Sequence, residues 1–169
     1  MKDIVQLFKD AIRKNRERGH DTLYVAVDVH GTIFRPSRKT TMRFDKKSKE
    51  MTECVGLCGL TTDYEFYPFA RQVLQRMSDN PKVKLILWTS AMNVAELYDE
   101  LKQADILVDN LNHNPDFQFN SYADFSSKFY FDILLDDKAG FDAETDWERL
   151  VDNEEIWKGL KDRNDREEA

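Results

Sequence analysis

The chain has little cysteine, no long apolar run and no excess of positive charge. Its two cysteines, Cys54 and Cys58, form a C-x3-C pair with no histidine nearby. Two thiols alone do not complete a zinc site, and the pair is read as reduced thiols. No apolar run approaches the roughly 18 residues that span a bilayer. The opening MKDIVQLFKDAIRKNRERG lacks the uninterrupted apolar stretch of a signal peptide, so the expectation is a cytoplasmic protein with no membrane partner. A net charge of -7 argues against a general nucleic-acid binder, which carries a basic footprint. There is no internal repeat and no low-complexity tract.

What is present is an ordinary globular composition, 41% hydrophobic and 34% charged over 169 residues. That length suits one domain, residues 1–169, with a proper core. Residues 2 to 17 place Ile4, Val5, Leu7, Phe8, Ala11 and Ile12 on one face at helical spacing, and Gly19 is a natural stop. A strand follows over 22–28. Pro68 is read as opening a helix lined by Phe69, Val73, Leu74 and Met77. Asn80-Pro81 is a turn, and VKLILW over 83–88 is a buried strand. A helix is expected over 93–103, further strands at 105–109 (DILVD) and 129–135 (FYFDILL), and a docked terminal helix carrying Trp147, Leu150, Val151, Ile156 and Trp157. The tail, 161–169, is charged. Alternating strands and helices predict an α/β fold, a Rossmann-like three-layer sandwich with a central parallel sheet and helices on both faces.

Several of these apolar strands end in a polar group. TLYVAVDVHGTI, residues 22–33, turns sharply on Gly31 just after Asp28; VKLILW is followed by Thr89 and Ser90; FYFDILL ends at Asp136-Asp137. In a parallel sheet these groups gather at the carboxyl edge, where open α/β sheets bind ligands. Carboxylates from different strands repel at such a spot, and a hard cation such as Mg2+ relieves the repulsion. An aspartate beside that cation can attack phosphorus and form an aspartyl-phosphate.

These pieces resemble the haloacid dehalogenase superfamily. DVHGT at 28–32 is similar to its first motif, LILWTS at 85–90 to its second, Lys128 to the lysine of its third, and ILLDDKAGFD at 133–142 to its acidic fourth. The resemblance covers roughly residues 20 to 142. It implies Asp28 as nucleophile and metal ligand, the His30 backbone carbonyl as a further ligand, Asp136 and Asp137 as acidic ligands, and Asp142 on a metal-bound water. It implies that Thr89 and Lys128 grip the phosphoryl group, with Ser90 the rival hydroxyl and Lys138 the rival lysine. His30 stands where phosphatases of that family usually carry an aspartate, which protonates the leaving group and then activates water. Histidine titrates near neutrality, so it can do both.

Between 34 and 63 lies a basic island, Arg35, Arg38, Lys39, Arg43, Lys46, Lys47 and Lys49, in an otherwise acidic chain. It is read as a minimal cap or flap containing a small hairpin around 41–44. Arg35 and Arg38 are candidates to meet a second phosphate or a nucleic-acid backbone. The aromatic cluster Tyr122, Phe125, Phe129, Tyr130 and Phe131 is read as core. The expectation is a Mg2+-dependent phosphomonoester hydrolase acting on a small molecule, a nucleotide or a nucleic-acid end. The alternative is a domain that kept the fold and phosphate binding but lost catalysis.

Overall fold

The computed structural model describes residues 3–36, 40–45, 48–55, 64–117, 123–125 and 127–161. Arg38, Lys39, Lys46, Lys47, Cys58, Tyr122 and the tail from 162 lie outside them. The fold is α/β, a Rossmann-like sandwich around a four-stranded parallel sheet. The first helix, α1 (Ile4–Glu17), starts where the Asp3 carboxylate accepts the Gln6 N–H at 2.8 Å. It ends before Gly19, which sits at φ +69°. Then comes β1 (Leu23–Asp28), the apolar run seen in the sequence, followed by β2 (Phe34–Pro36), β3 (Thr40–Asp45), β4 (Glu50–Val55) and β5 (Tyr64–Phe66). The second half holds α2 (Ala70–Asp79), β6 (Val83–Trp88), α3 (Val94–Gln103), β7 (Asn110–Leu111), β8 (Ile133–Leu135), α4 (Asp146–Val151) and α5 (Glu154–Lys161). Strand order is β7-β6-β1-β8, so the two strands richest in apolar residues are central. The expected hairpin is β3 paired with β4, antiparallel; β2 pairs with β5, also antiparallel, as a separate two-stranded sheet.

Alternation along β1 splits its side chains between two clusters. Leu23, Val25 and Val27 face the large core, with Phe8, Leu74, Met77, Leu101, Trp147 and Leu150 contributed by the helices. Tyr24 and Ala26 face the other way with Ile86. Among the described residues, the layer covering that second face is aromatic chain from the β7–β8 connection: Phe117, Phe129, Tyr130 and Phe131. The core reading of that cluster therefore holds for Phe129, Tyr130 and Phe131, while Phe125 only touches its edge through Phe117 and Tyr130.

Four elements differ from the sequence expectation, three of them for a local reason. The chain beside β6 pairs as a strand at Asn110–Leu111, not 105–109. Asp105 sits at φ +59°, and the Asp109 carboxylate accepts the Leu85 N–H at 2.8 Å where a strand carbonyl would serve. The Asp132 carboxylate does the same for the Tyr24 N–H at 2.8 Å, and β8 is confined to 133–135. Helix α2 begins at Ala70, two residues past Pro68, because Phe69 holds φ +66° and is 38% exposed rather than inward. The C-terminal helical segment is two helices, α4 and α5, rather than one.

Candidate active site

Asp28 closes β1 and pairs in register with Trp88, which closes β6. After Asp28 the chain makes a tight turn. The Val29 carbonyl accepts from the N–H groups of Thr32, Ile33 and Phe34 at 3.3, 2.9 and 3.1 Å. Gly31 takes φ +84°, and a Cβ there would lie 3.0 Å from Asp137 Oδ2. Glycine at this position is thus required twice, by the backbone angle and by the approach of a carboxylate.

Thr32 is fully buried and joins the two acidic segments. Its hydroxyl donates to Asp28 Oδ2 at 3.3 Å and accepts the Asp137 N–H at 3.1 Å. Its carbonyl accepts the Trp147 indole N–H at 2.8 Å, which ties the turn to α4. Asp136 caps the following single 3-10 turn, Asp137–Ala139, by accepting the Lys138 N–H at 2.9 Å.

The result is a cluster of three carboxylates, Asp28, Asp136 and Asp137, with ligand oxygens all within 4.8 Å of one another. Burial raises the Asp28 pKa to about 6, with the charge of Asp136 adding to the effect; the Thr32 hydroxyl opposes it. Such oxygens repel when ionised, and an all-oxygen donor set of this kind fits a hard divalent cation such as Mg2+.

Beside the cluster opens a cleft of about 390 Å3, lined among the described residues by Asp28, Trp88, Thr89, Ser90, Asn112, Asp136 and Lys138. Thr89 is held by a two-way amide clasp. Its N–H donates to Asn112 Oδ1 at 2.9 Å, and Asn112 Nδ2 donates to its carbonyl at 2.6 Å. The Thr89 hydroxyl accepts the Ala91 N–H at 3.1 Å, an arrangement that leaves the hydroxyl its own proton to donate.

The structure thus gathers Asp28, Thr89, Ser90, Asp136 and Asp137 at one edge. The remaining sequence candidates sit elsewhere. Lys128 is exposed ahead of Phe129, and the lysine lining the cleft is Lys138. The His30 ring is half-buried against Tyr64, 4.9 Å between centroids, and is not among the residues lining the cleft. Burial there pushes its pKa below the usual histidine value. Arg35 is drawn into ion pairs with Glu65 at 3.1 Å and Glu144 at 3.4 Å, and lies over the Tyr67 ring. Arg38 falls outside the described residues. Asp142 accepts the Glu144 N–H at 3.1 Å and, with Asp137, lines a second hollow rather than the cleft.

Sequence reasoning missed two participants, Asn112 and Trp88. The strand register gives the signal for Trp88, since it stands opposite Asp28; nothing in the sequence pairs Asn112 with Thr89. No helix among the described residues is long and apolar enough to cross a membrane. In comparisons with protein-family models, curated proteins and solved structures, nothing matches this chain.

Proposed function

We propose that the chain is a Mg2+-dependent phosphomonoester hydrolase of the haloacid dehalogenase type, working in the cytoplasm through an aspartyl-phosphate on Asp28. One observation carries this reading. Three carboxylates from two parallel strand ends converge within 4.8 Å beside a cleft whose other walls include two hydroxyl residues and a lysine. Asp28, Asp136, Asp137 and the His30 carbonyl would hold the cation. When bound, Mg2+ supplies positive charge against the substrate's phosphoryl oxygens and against the carboxylates themselves.

The chain's own groups do the rest. An Asp28 oxygen attacks phosphorus while the ester bond to the leaving oxygen breaks. Thr89 and Ser90 donate hydroxyl protons to the phosphoryl oxygens, and Lys138 adds a cation on that side; Lys128 is the other lysine offered for this place by the sequence. His30 is the acid–base group of the reading. It protonates the leaving oxygen and then takes a proton from the water that hydrolyses the aspartyl-phosphate, with its ring turned from Tyr64 toward the cleft. The substrate is a phosphorylated small molecule, a nucleotide or a nucleic-acid end.

A second reading, a phosphate-binding domain without catalysis, is favoured by one feature: the His30 ring packs on Tyr64 instead of lining the cleft. One experiment separates them. Phosphate release is measured from nucleotides, sugar phosphates and 3′- or 5′-phosphorylated oligonucleotides, with and without Mg2+, for the wild type and Asp28→Asn. Metal-dependent release that the variant lacks supports the hydrolase. Phosphate binding without release from any member supports the second reading.

A further inference from the structure

Trp88 lines the cleft without a part in the proposed chemistry. It keeps 43% of its surface exposed, whereas the chain's other two tryptophans, Trp147 and Trp157, keep 0% and 4%. Among the described residues lining the cleft it is the one apolar side chain. A large apolar ring ending a buried strand ordinarily turns into a core. This one is held at the edge. Phe129, itself buried, packs against it at 5.5 Å between centroids, and Phe131 packs against Phe129 at 5.8 Å. On the next residue, the Asn112 clasp fixes the backbone. The indole is therefore a braced apolar wall in an otherwise polar cleft.

Its register decides what it can touch. Trp88 and Asp28 are Cα partners in the parallel ladder. Laterally paired residues project to the same face, and neighbouring strands lie about 4.8 Å apart. Indole and nucleophile therefore leave the sheet edge side by side.

We propose that Trp88 is a specificity-determining platform for a planar aromatic ring bonded directly to the substrate's phosphate ester, so that the site prefers aryl phosphate monoesters to aliphatic ones. This rests on the hydrolase reading above and names its substrate class. The spacing favours an aryl ester over a nucleotide. In an aryl phosphate one oxygen separates ring from phosphorus, which suits a platform one strand away from the nucleophile. In a nucleoside monophosphate a ribose intervenes. The placement of His30 agrees, because its ring lies outside the cleft lining. A phenol-type leaving group, with a pKa of about 10, departs with less help from an acid than an alcohol does. The Asp28–phosphorus bond forms as the bond from phosphorus to the aryl oxygen breaks. The electron pair leaves on that oxygen, which takes its proton from His30 as in the reading above, though an aryl oxide depends on that proton less than an alkoxide does. Water then attacks the aspartyl-phosphate, gives its proton to the now neutral His30, and releases phosphate and the Asp28 carboxylate.

The test compares kcat/KM for phenyl phosphate, phosphotyrosine, a nucleoside 5′-monophosphate and glycerol 2-phosphate in the full chain with Mg2+. Wild type, Trp88→Ala, Trp88→Phe and Asp28→Asn are run in parallel. The expected result is an aryl-to-aliphatic ratio well above one, falling about tenfold in Trp88→Ala through KM and recovering in Trp88→Phe. Equal losses on aryl and aliphatic substrates would overturn the platform and leave the hydrolase reading standing. A nucleotide preferred over phenyl phosphate would overturn the spacing argument. If no substrate releases phosphate, the hydrolase reading fails, and tryptophan emission decides the platform. Trp88 is the exposed tryptophan. Saturable quenching by phenyl phosphate, absent with glycerol 2-phosphate and absent in Trp88→Phe, upholds the platform; no quenching ends it.

Discussion

Replacing Asp28 by Asn should stabilise the metal-free protein while it abolishes turnover. Burial and the neighbouring Asp136 charge raise the Asp28 carboxyl from 3.8 to about 6 in the folded chain. The folded state thus binds this proton more tightly than the unfolded state does. The group favours folding below its unfolded pKa, and that advantage is lost as pH rises through about 6. At about pH 7.5 the ionised carboxylate is therefore a liability. A shift of roughly two units is worth about 3 kcal/mol. Asp28 is only half-buried and solvent screens part of its field, so about 1.5 kcal/mol is the better figure. Asparagine keeps the shape and an oxygen for the Thr32 hydroxyl, and it carries no charge. For a chain of 169 residues that predicts a melting temperature higher by about 3–6 °C in EDTA. The gap should close toward about pH 4, where the wild-type carboxyl is also neutral. Mg2+ should raise the melting temperature of the wild type more than that of the variant. Thermal melts at both pH values, with EDTA and with Mg2+, check all three. A variant that melts at or below wild type in EDTA near pH 7.5, or a gap indifferent to pH, would refute the electrostatic account.

Three further substitutions test the scaffold. Thr32→Val removes the buried hydroxyl between Asp28 and the Asp137 N–H and leaves that part-buried donor to water; urea unfolding should show a loss of about 1 kcal/mol. Gly31→Ala forces a side chain to φ +84° against Asp137, at a backbone cost of about 1–2 kcal/mol, and should also shrink the Mg2+-induced rise in melting temperature. Asn112→Ala breaks both hydrogen bonds to the Thr89 backbone, and steady-state kinetics should show kcat/KM down about tenfold with the overall fold intact by circular dichroism.

The centre of the fold is legible because β1 and β6 are apolar almost throughout, Lys84 being the one charged residue inside β6, as strands buried on both faces require. The edges are less legible for a physical reason. An apolar run marks burial, not pairing. At 105–109 and 129–135 the carboxylates of Asp109 and Asp132 take the ladder N–H groups of Leu85 and Tyr24, so the paired strands start after them. The site follows the same division. Asp28, Thr89, Asp136 and Asp137 are readable since each closes an apolar run, and parallel strands bring such ends together. Lys138 rather than Lys128 in the cleft, and Arg35 drawn toward Glu65 and Glu144, depend on where loops carry long side chains, which spacing along the chain does not encode.

The carboxylate cluster is also where local consistency breaks down, and the structure shows what holds it. Three acidic groups within 4.8 Å work against folding when no cation is bound. What opposes them is anchored in the main core. Trp147, fully buried on α4, donates its indole N–H to the Thr32 carbonyl, and Thr32 in turn bonds both acidic segments through its hydroxyl. A turn fixed from behind in this way cannot open to relieve the repulsion without unseating Trp147 from the cluster it shares with Phe8 and Leu150. Relief must then come by protonation or by a bound cation. That is the expected character of a binding site held preformed by its scaffold, with local strain sustained by packing elsewhere.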